Sequence, residues 1–328
     1  MLNKQAHLSS KALRSDVPMA ATRDGFGIGM VEIGEKNNRV VAVCSDVTES
    51  VRLDKFRAVF PGRFVQTGVA EQTLVSASVG LALAGKIPFA AAYGVFSPGR
   101  NWDQIRVGVC FNNANVKLIG SHAGVSTGED GGTHQALEDI ALTRVLPNMT
   151  VLVPADSEEA RKAVHAVAEL KGPVYIRLSR PATPVFTTEK TPFSIGKSSV
   201  LMNGEDVAII GTGPIVYEAL LAADRLLEQG IKARVINLAC VKPLDHAVIE
   251  RVAKECGAVV TCEEHQISGG AGSAVAEFLA QTYPVPIEMV GVRDRFGESG
   301  KTQELLDKHK LNADGIVSAV KKVVKRKK

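Results

Sequence analysis

Residues 64–93, FVQTGVAEQTLVSASVGLALAGKIPFAAAY, hold two short apolar runs with a longer helix-period stretch between them. The runs at 64–67 and 89–93 are only four and five residues long and are bounded by Gly or Pro, so both read as buried strands. Between them, residues 72–84 contain neither charge nor Pro, and Gly85 supplies a helix stop. Strand, crossover helix and strand form the repeating unit of a parallel sheet. The same alternation extends outward, with further strands expected at 40–44, 116–120, 150–153 and 174–178. Thr22 is expected to cap a helix carrying Phe26, Met30 and Ile33 on one face, and Asp156 with Glu159 resembles a capping box.

Residues 181–199, PATPVFTTEKTPFSIGKSS, break the pattern and read as a loop laid over the surface. A second α/β series follows, with strands expected at 207–210, 233–237, 258–262 and 287–292 and a last helix through 317–324. The expected architecture is two α/β domains, 1–190 and a smaller 191–328, with no internal repeat.

A chain of 328 residues with 45% hydrophobic and 23% charged residues is neither fibrous nor generally disordered. Net charge is +4, but residues 321–328 supply six positive charges, and without them acids outnumber bases. That tail reads as a solvated helix end, and the body lacks the basic footprint of a nucleic-acid binder. Five widely spaced cysteines form no C-x-x-C pair, so neither a disulfide framework nor a structural zinc site is expected. Residues 1–17 contain no apolar h-region, and Gly85, Pro88, Gly94 and Pro98 divide the least charged stretch into pieces too short to cross a bilayer. Cytoplasm is the expected location.

Three loops carry candidate chemistry. GTGPIV (211–216) opens a helix after a strand, but Val216 stands where a dinucleotide fingerprint wants glycine, so a plain βα turn is favoured. GSHAGVSTGEDGGTHQALED (120–139) packs His122, Asp130 and His134 among glycines that let the backbone approach a ligand closely. A polyol site fits it better than a metal, because no ligand triad sits on a regular element. In GVAEQ (68–72), Glu71 is flanked by Val69, Ala70 and Leu74, and an acid in an apolar setting is an acid/base candidate.

These loops, together with ATRDGFG (21–27), VAVCSDVTES (41–50), PGRFVQTGVAEQ (61–72), PFAAAYGVFSPGRNWDQIR (88–106), PNMTVLVPAD (147–156) and VYIRLSR (174–180), resemble the carboxyl-terminal half of a transketolase. The resemblance spans effectively the whole chain and is looser beyond about residue 200. It implies a thiamine-diphosphate pyrimidine-binding domain followed by the family's smaller α/β carboxyl-terminal domain. The family's cofactor-diphosphate segment begins Gly-Asp-Gly, which is absent from this sequence. The chain therefore resembles one subunit of a split transketolase, whose amino-terminal partner brings the diphosphate site and Mg2+ in an α2β2 assembly.

The resemblance also implies roles. Glu71 matches the acid that hydrogen-bonds the aminopyrimidine ring nitrogen of thiamine diphosphate. Tyr93 and Phe96 match aromatics around that ring, Gly99 stands where some relatives carry a third, and Asp46 matches an acid near the cofactor. Arg23, Ser50, His122 and Arg180 match the grip on a terminal sugar phosphate. Asp130 matches a reader of the hydroxyl next to the reacting carbon, and His134 a catalytic group beside the reaction centre. The implied activity is transfer of two-carbon ketol units between sugar phosphates such as xylulose 5-phosphate and ribose 5-phosphate. Alternatives are a deoxyxylulose phosphate synthase-like enzyme, a 2-oxo acid dehydrogenase β subunit, or a non-enzymatic nucleotide-binding module built on GTGPIV.

Overall fold

Six strands pair in parallel to form the first sheet, and a computed structural model describing residues 1–327 gives their order as Thr150–Leu152, Val174–Arg177, Lys117–Ser121, Ile87–Tyr93, Val40–Cys44 and Phe64–Gln66. Alternate residues of each strand enter opposite cores. Val41, Val43, Ala90 and Ala92 pack with Leu74, Val75, Ile105 and Val109, while Val40, Ala42, Phe89 and Ala91 pack with Phe26, Met30, Ile33 and Val164. Helices cover both faces, which is why the strands read as continuous apolar runs rather than alternating ones. From Val40–Cys44 the chain moves outward to Phe64–Gln66 and then adds Ile87–Tyr93 on the other side. The strand order thus reverses at Val40–Cys44, and a crevice beyond the carboxyl ends of such strands is where open α/β sheets bind ligands.

The second sheet runs Ile287–Val292, Val259–Gln266, Val207–Gly211 and Ala233–Asn237 in parallel, with Ser199–Met202 antiparallel at the far edge. Two segments pass between the bodies. Cys240–Lys242 joins the first sheet antiparallel to Thr150–Leu152, and Leu2 bridges Met202 of the second. The edge strands Ser199–Met202 and Cys240–Lys242 escape sequence reading because they pair antiparallel, outside the strand–helix–strand alternation.

Three local expectations need correction. Thr22 does not cap its helix, Thr22–Lys36. Its hydroxyl accepts the Ser179 amide at 2.8 Å, and the Asp24 carboxylate takes the Ala21 amide instead. Residues 181–199 are not merely draped on the surface. Thr183–Pro184 pairs with Met19–Ala20, Phe186 is fully buried, and the Phe186 and Thr187 amides donate to Asp156. The helix expected at 72–84 begins one residue earlier, at Glu71 (Glu71–Leu83). Asp156 does cap Ser157–Glu169 as expected, through the Glu159 amide. That helix lies tight against Thr22–Lys36, where a Cβ on Gly25 would come within 1.8 Å of the Ser157 carbonyl.

Candidate active site

Each candidate residue ends a first-sheet strand, lies in the loop after one, or stands in the first turn of a helix. Asp46 follows Val40–Cys44, Glu71 opens the crossover helix, Tyr93 ends Ile87–Tyr93, His122 follows Lys117–Ser121, and Arg180 lies just past Val174–Arg177. Arg23 stands in the first turn of Thr22–Lys36.

Three of the four anion-grip candidates converge. Arg23 Nη1 donates to the Ser50 carbonyl at 2.9 Å and to His122 Nε2 at 3.3 Å, so Ser50 contributes its backbone to this contact rather than its hydroxyl. The Arg23 Nε is buried with no hydrogen-bond partner. Burial, then the neighbouring Arg52, pulls the guanidinium below its ordinary pKa. Burial, then Arg23 and Arg180, pushes His122 down to about 3, so its imidazole is neutral. Neutrality fits the geometry, since Nε2 accepts from Arg23 while Nδ1 donates to Ser121 Oγ at 3.0 Å. Arg180 lies in electrostatic range of both, but its Nη1 donates to the Thr127 carbonyl (2.7 Å) and Glu129 (3.3 Å), and its Nε lies 4.0 Å from Asp130. Asp130 is thus placed against Arg180.

Beside this cluster, the Tyr93 ring lies 4.1 Å from His122 and 6.2 Å from Phe96, and His134 meets the Phe96 ring edge-on at 5.4 Å. Glu71 is buried at 2% exposure, yet its setting is not purely apolar: Oε2 accepts from Arg100 at 2.6 Å, and the Arg100 guanidinium lies 4.6 Å over Phe96. Among the described residues nothing donates to Glu71 Oε1, which leaves that carboxylate oxygen free. A Cβ at Gly99 would meet the Val95 carbonyl at 2.3 Å, so no third aromatic fits there without a backbone shift. Asp46 stands apart, exposed, at φ 60°, exchanging hydrogen bonds with Gln66 in an open pocket that also includes Ser50. Among the described residues no cluster of His, Cys, Asp or Glu is arranged to hold a metal ion, and no helix is long and apolar enough to cross a membrane.

Sequence reasoning overlooked Arg100 and Gln66. Arg100 had a signal: it is the first cation after Lys86 in a stretch otherwise without charge. Gln66 had none, because a neutral amide at a strand end carries no chemical mark.

The family of the transketolase pyrimidine-binding domain matches residues 18–185, and that of the transketolase C-terminal domain matches residues 196–316. The chain is 42% identical over 305 residues to the 6-deoxy-6-sulfo-D-fructose transketolase subunit of Clostridium sp., covering 93% of this chain and 95% of that one. It is 36% identical over 309 residues to an apulose-4-phosphate transketolase subunit of Phocaeicola vulgatus, covering 94% and 99%. A solved split-gene transketolase, an inactive β4 tetramer, superposes with a TM-score of 0.88 at 44% identity over 94% of this chain and 99% of that one. The parallel sheet, the loop cluster at its carboxyl edge and these likenesses together make the chain a member of the transketolase family, of the kind whose relatives are carboxyl-terminal subunits of split transketolases.

Proposed function

We propose that this chain is the carboxyl-terminal subunit of a thiamine-diphosphate-dependent transketolase that moves two-carbon ketol units between sugar phosphates. The observation carrying the reading is the half-buried Arg23, whose Nε is buried without a partner, beside neutral His122 and in electrostatic range of Arg180: a guanidinium paired to no acid among the described residues, set in a crevice, calls for a tetrahedral anion. We assign that anion as the terminal phosphate of the sugar, gripped by Arg23, Ser50, His122 and Arg180. Glu71 would hold the aminopyrimidine of thiamine diphosphate, with Tyr93 and Phe96 as its walls and Asp46 near the cofactor. When bound, the cofactor supplies the electron sink for carbon–carbon cleavage. His134, at the edge of Phe96, would steady developing charge at the reaction centre, and Asp130 would read the adjacent hydroxyl.

The diphosphate and Mg2+ belong in this reading to an amino-terminal partner in a cytoplasmic α2β2 assembly, with domains dividing near residue 190. Support comes from surface chemistry. The Glu71–Leu83 helix buries only four of its 13 residues although it carries no charge after Glu71, and Leu83 and Phe111 are 74% and 82% exposed. Such a face is expected to be covered in the working assembly. Mixing experiments test the whole reading: ketol transfer from xylulose 5-phosphate to ribose 5-phosphate should require both chains and thiamine diphosphate. Substantial transfer by this chain alone, or none with any amino-terminal transketolase partner that binds it, would overturn it.

A further inference from the structure

The carboxyl-terminal domain contains a cleft of about 460 Å³ along the outer edge of the Ile287–Val292 strand, between that strand and the helices Thr302–Lys308 and Ala313–Val324. Its charged walls are Arg293, Arg295, Lys308, Lys310, Lys322 and a single acid, Glu288. Glu288 is already shared by Lys322 at 2.8 Å and Arg326 at 2.5 Å, and Lys308 pairs with Glu298. Among the described residues Arg293, Arg295 and Lys310 have no acidic partner. His309 also lines the cleft, and its Nε2 is buried without a hydrogen bond. None of these residues belongs to the Arg23–His122–Arg180 cluster.

We propose that this cleft is a second anion site, built for a small molecule carrying two or more phosphates. Several cations around one concave space favour a concentrated negative charge over a single carboxylate. An acidic peptide added as an extra strand is the less favoured occupant, because two outward carbonyls of the edge are taken. Arg326 donates to the Ile287 carbonyl at 3.0 Å and Arg293 to the Met289 carbonyl at 2.8 Å. The position has reach. The segment leaving the cleft wall at Arg293 continues to Glu298, whose carbonyl accepts from Gln135, and to Thr302, whose hydroxyl donates to the Ser126 carbonyl. An occupant would therefore sit on the same segment that braces the loop bearing Asp130 and His134.

Calorimetric titration of the full-length chain with inorganic pyrophosphate tests the proposal without needing a partner subunit. Saturable binding should persist in Arg180→Ala, which weakens the other anion cluster, and weaken tenfold or more in Arg295→Ala/Lys310→Gly. Glycine is chosen because position 310 has φ 57°. Arg295→Lys should retain most of the affinity, and Arg295→Ala alone, a change at an exposed side chain, serves if the double variant melts early. Absence of binding, affinity unchanged in the cleft variants, or loss on Arg180→Ala would each overturn the site.

Discussion

His122 occupies the left-handed region at φ 58°, which few residues other than glycine adopt, and its hydrogen bonds with Arg23 and Ser121 hold it there. Its imidazole is held near 3 by burial, against 6.5 in an unfolded chain. Between those values the unfolded state binds the proton and the native state does not. Stability is therefore undiminished above pH 6.5 and falls as pH is lowered, by about 1.4 kcal/mol per pH unit. His122→Asn, compatible with the backbone, should remove this component: urea unfolding at pH 7 and pH 5 should show the parent losing about 2 kcal/mol more than the variant. Equal losses would mean that the imidazole is accessible to protons. Arg180→Ala should weaken phosphorylated substrates about ten- to a hundredfold in kcat/KM, since a lost bond to a charged group costs about 1.5–3 kcal/mol. Dephosphorylated analogues should be nearly unaffected, and a loss common to both would assign Arg180 to bracing Thr127 instead. Glu71→Gln keeps the shape but loses the charge facing Arg100, and turnover of the assembled enzyme should fall by orders of magnitude with the melting temperature little changed.

The helix Ser157–Glu169 joins the two bodies through one buried side chain. Glu159 accepts the Ala155 amide at 2.7 Å and the Asn237 side chain at 2.8 Å, the latter from the end of a second-sheet strand. Burial, then the nearby Asp156, raises its carboxyl to about 7. An acid raised in the native state binds its proton more tightly there than when unfolded, so its contribution is fully present below pH 4.5 and is lost as pH rises through 7. Glu159→Gln lacks that loss. It should stabilise the chain by about 1–3 kcal/mol at pH 8, with the gain vanishing toward pH 4.5, as thermal melts across that range would reveal. A destabilised variant at pH 8 would show that the ionised carboxylate is required by the Asn237 contact. The Gly25 approach makes this helix pair sensitive to size as well: with 1.8 Å available to a Cβ, the backbones must separate, and Arg23 two residues earlier moves with them.

At the scale of the molecule, the apolar surface around Leu83 and Phe111 is where association is expected. Leu83→Glu/Phe111→Glu alters two exposed side chains and should leave thermal stability of the isolated subunit nearly unchanged while lowering the mass seen by light scattering. An unchanged mass would place the interface elsewhere. The two bodies are themselves joined by a strand exchange, Cys240–Lys242 on the first sheet, and by Arg177, which reaches the Glu264 carbonyl at 2.7 Å while paired to Asp139. Breaking a buried pair of this kind leaves an uncompensated charge, so the site loop is held by the second domain as well as the first.

The ten parallel strands and the order of the site loops were legible in the sequence because each depends on local information: apolar runs of strand length, glycine stops, and motifs that lie within a single loop. What tertiary structure decided is long-range. Thr22 turns from capping its own helix to Ser179, 157 residues away, because a buried amide there needs an acceptor. Glu71 gains Arg100 as a counter-charge only when the turn after Ile87–Tyr93 folds back over it. The neutrality of His122, the unpartnered Arg23 Nε, the cationic cleft and the seventh strand likewise arise from residues remote in sequence brought into one low-dielectric space. Hydrophobic period fixes where elements lie along the chain, whereas charge, burial and hydrogen-bond satisfaction are properties of the packed whole.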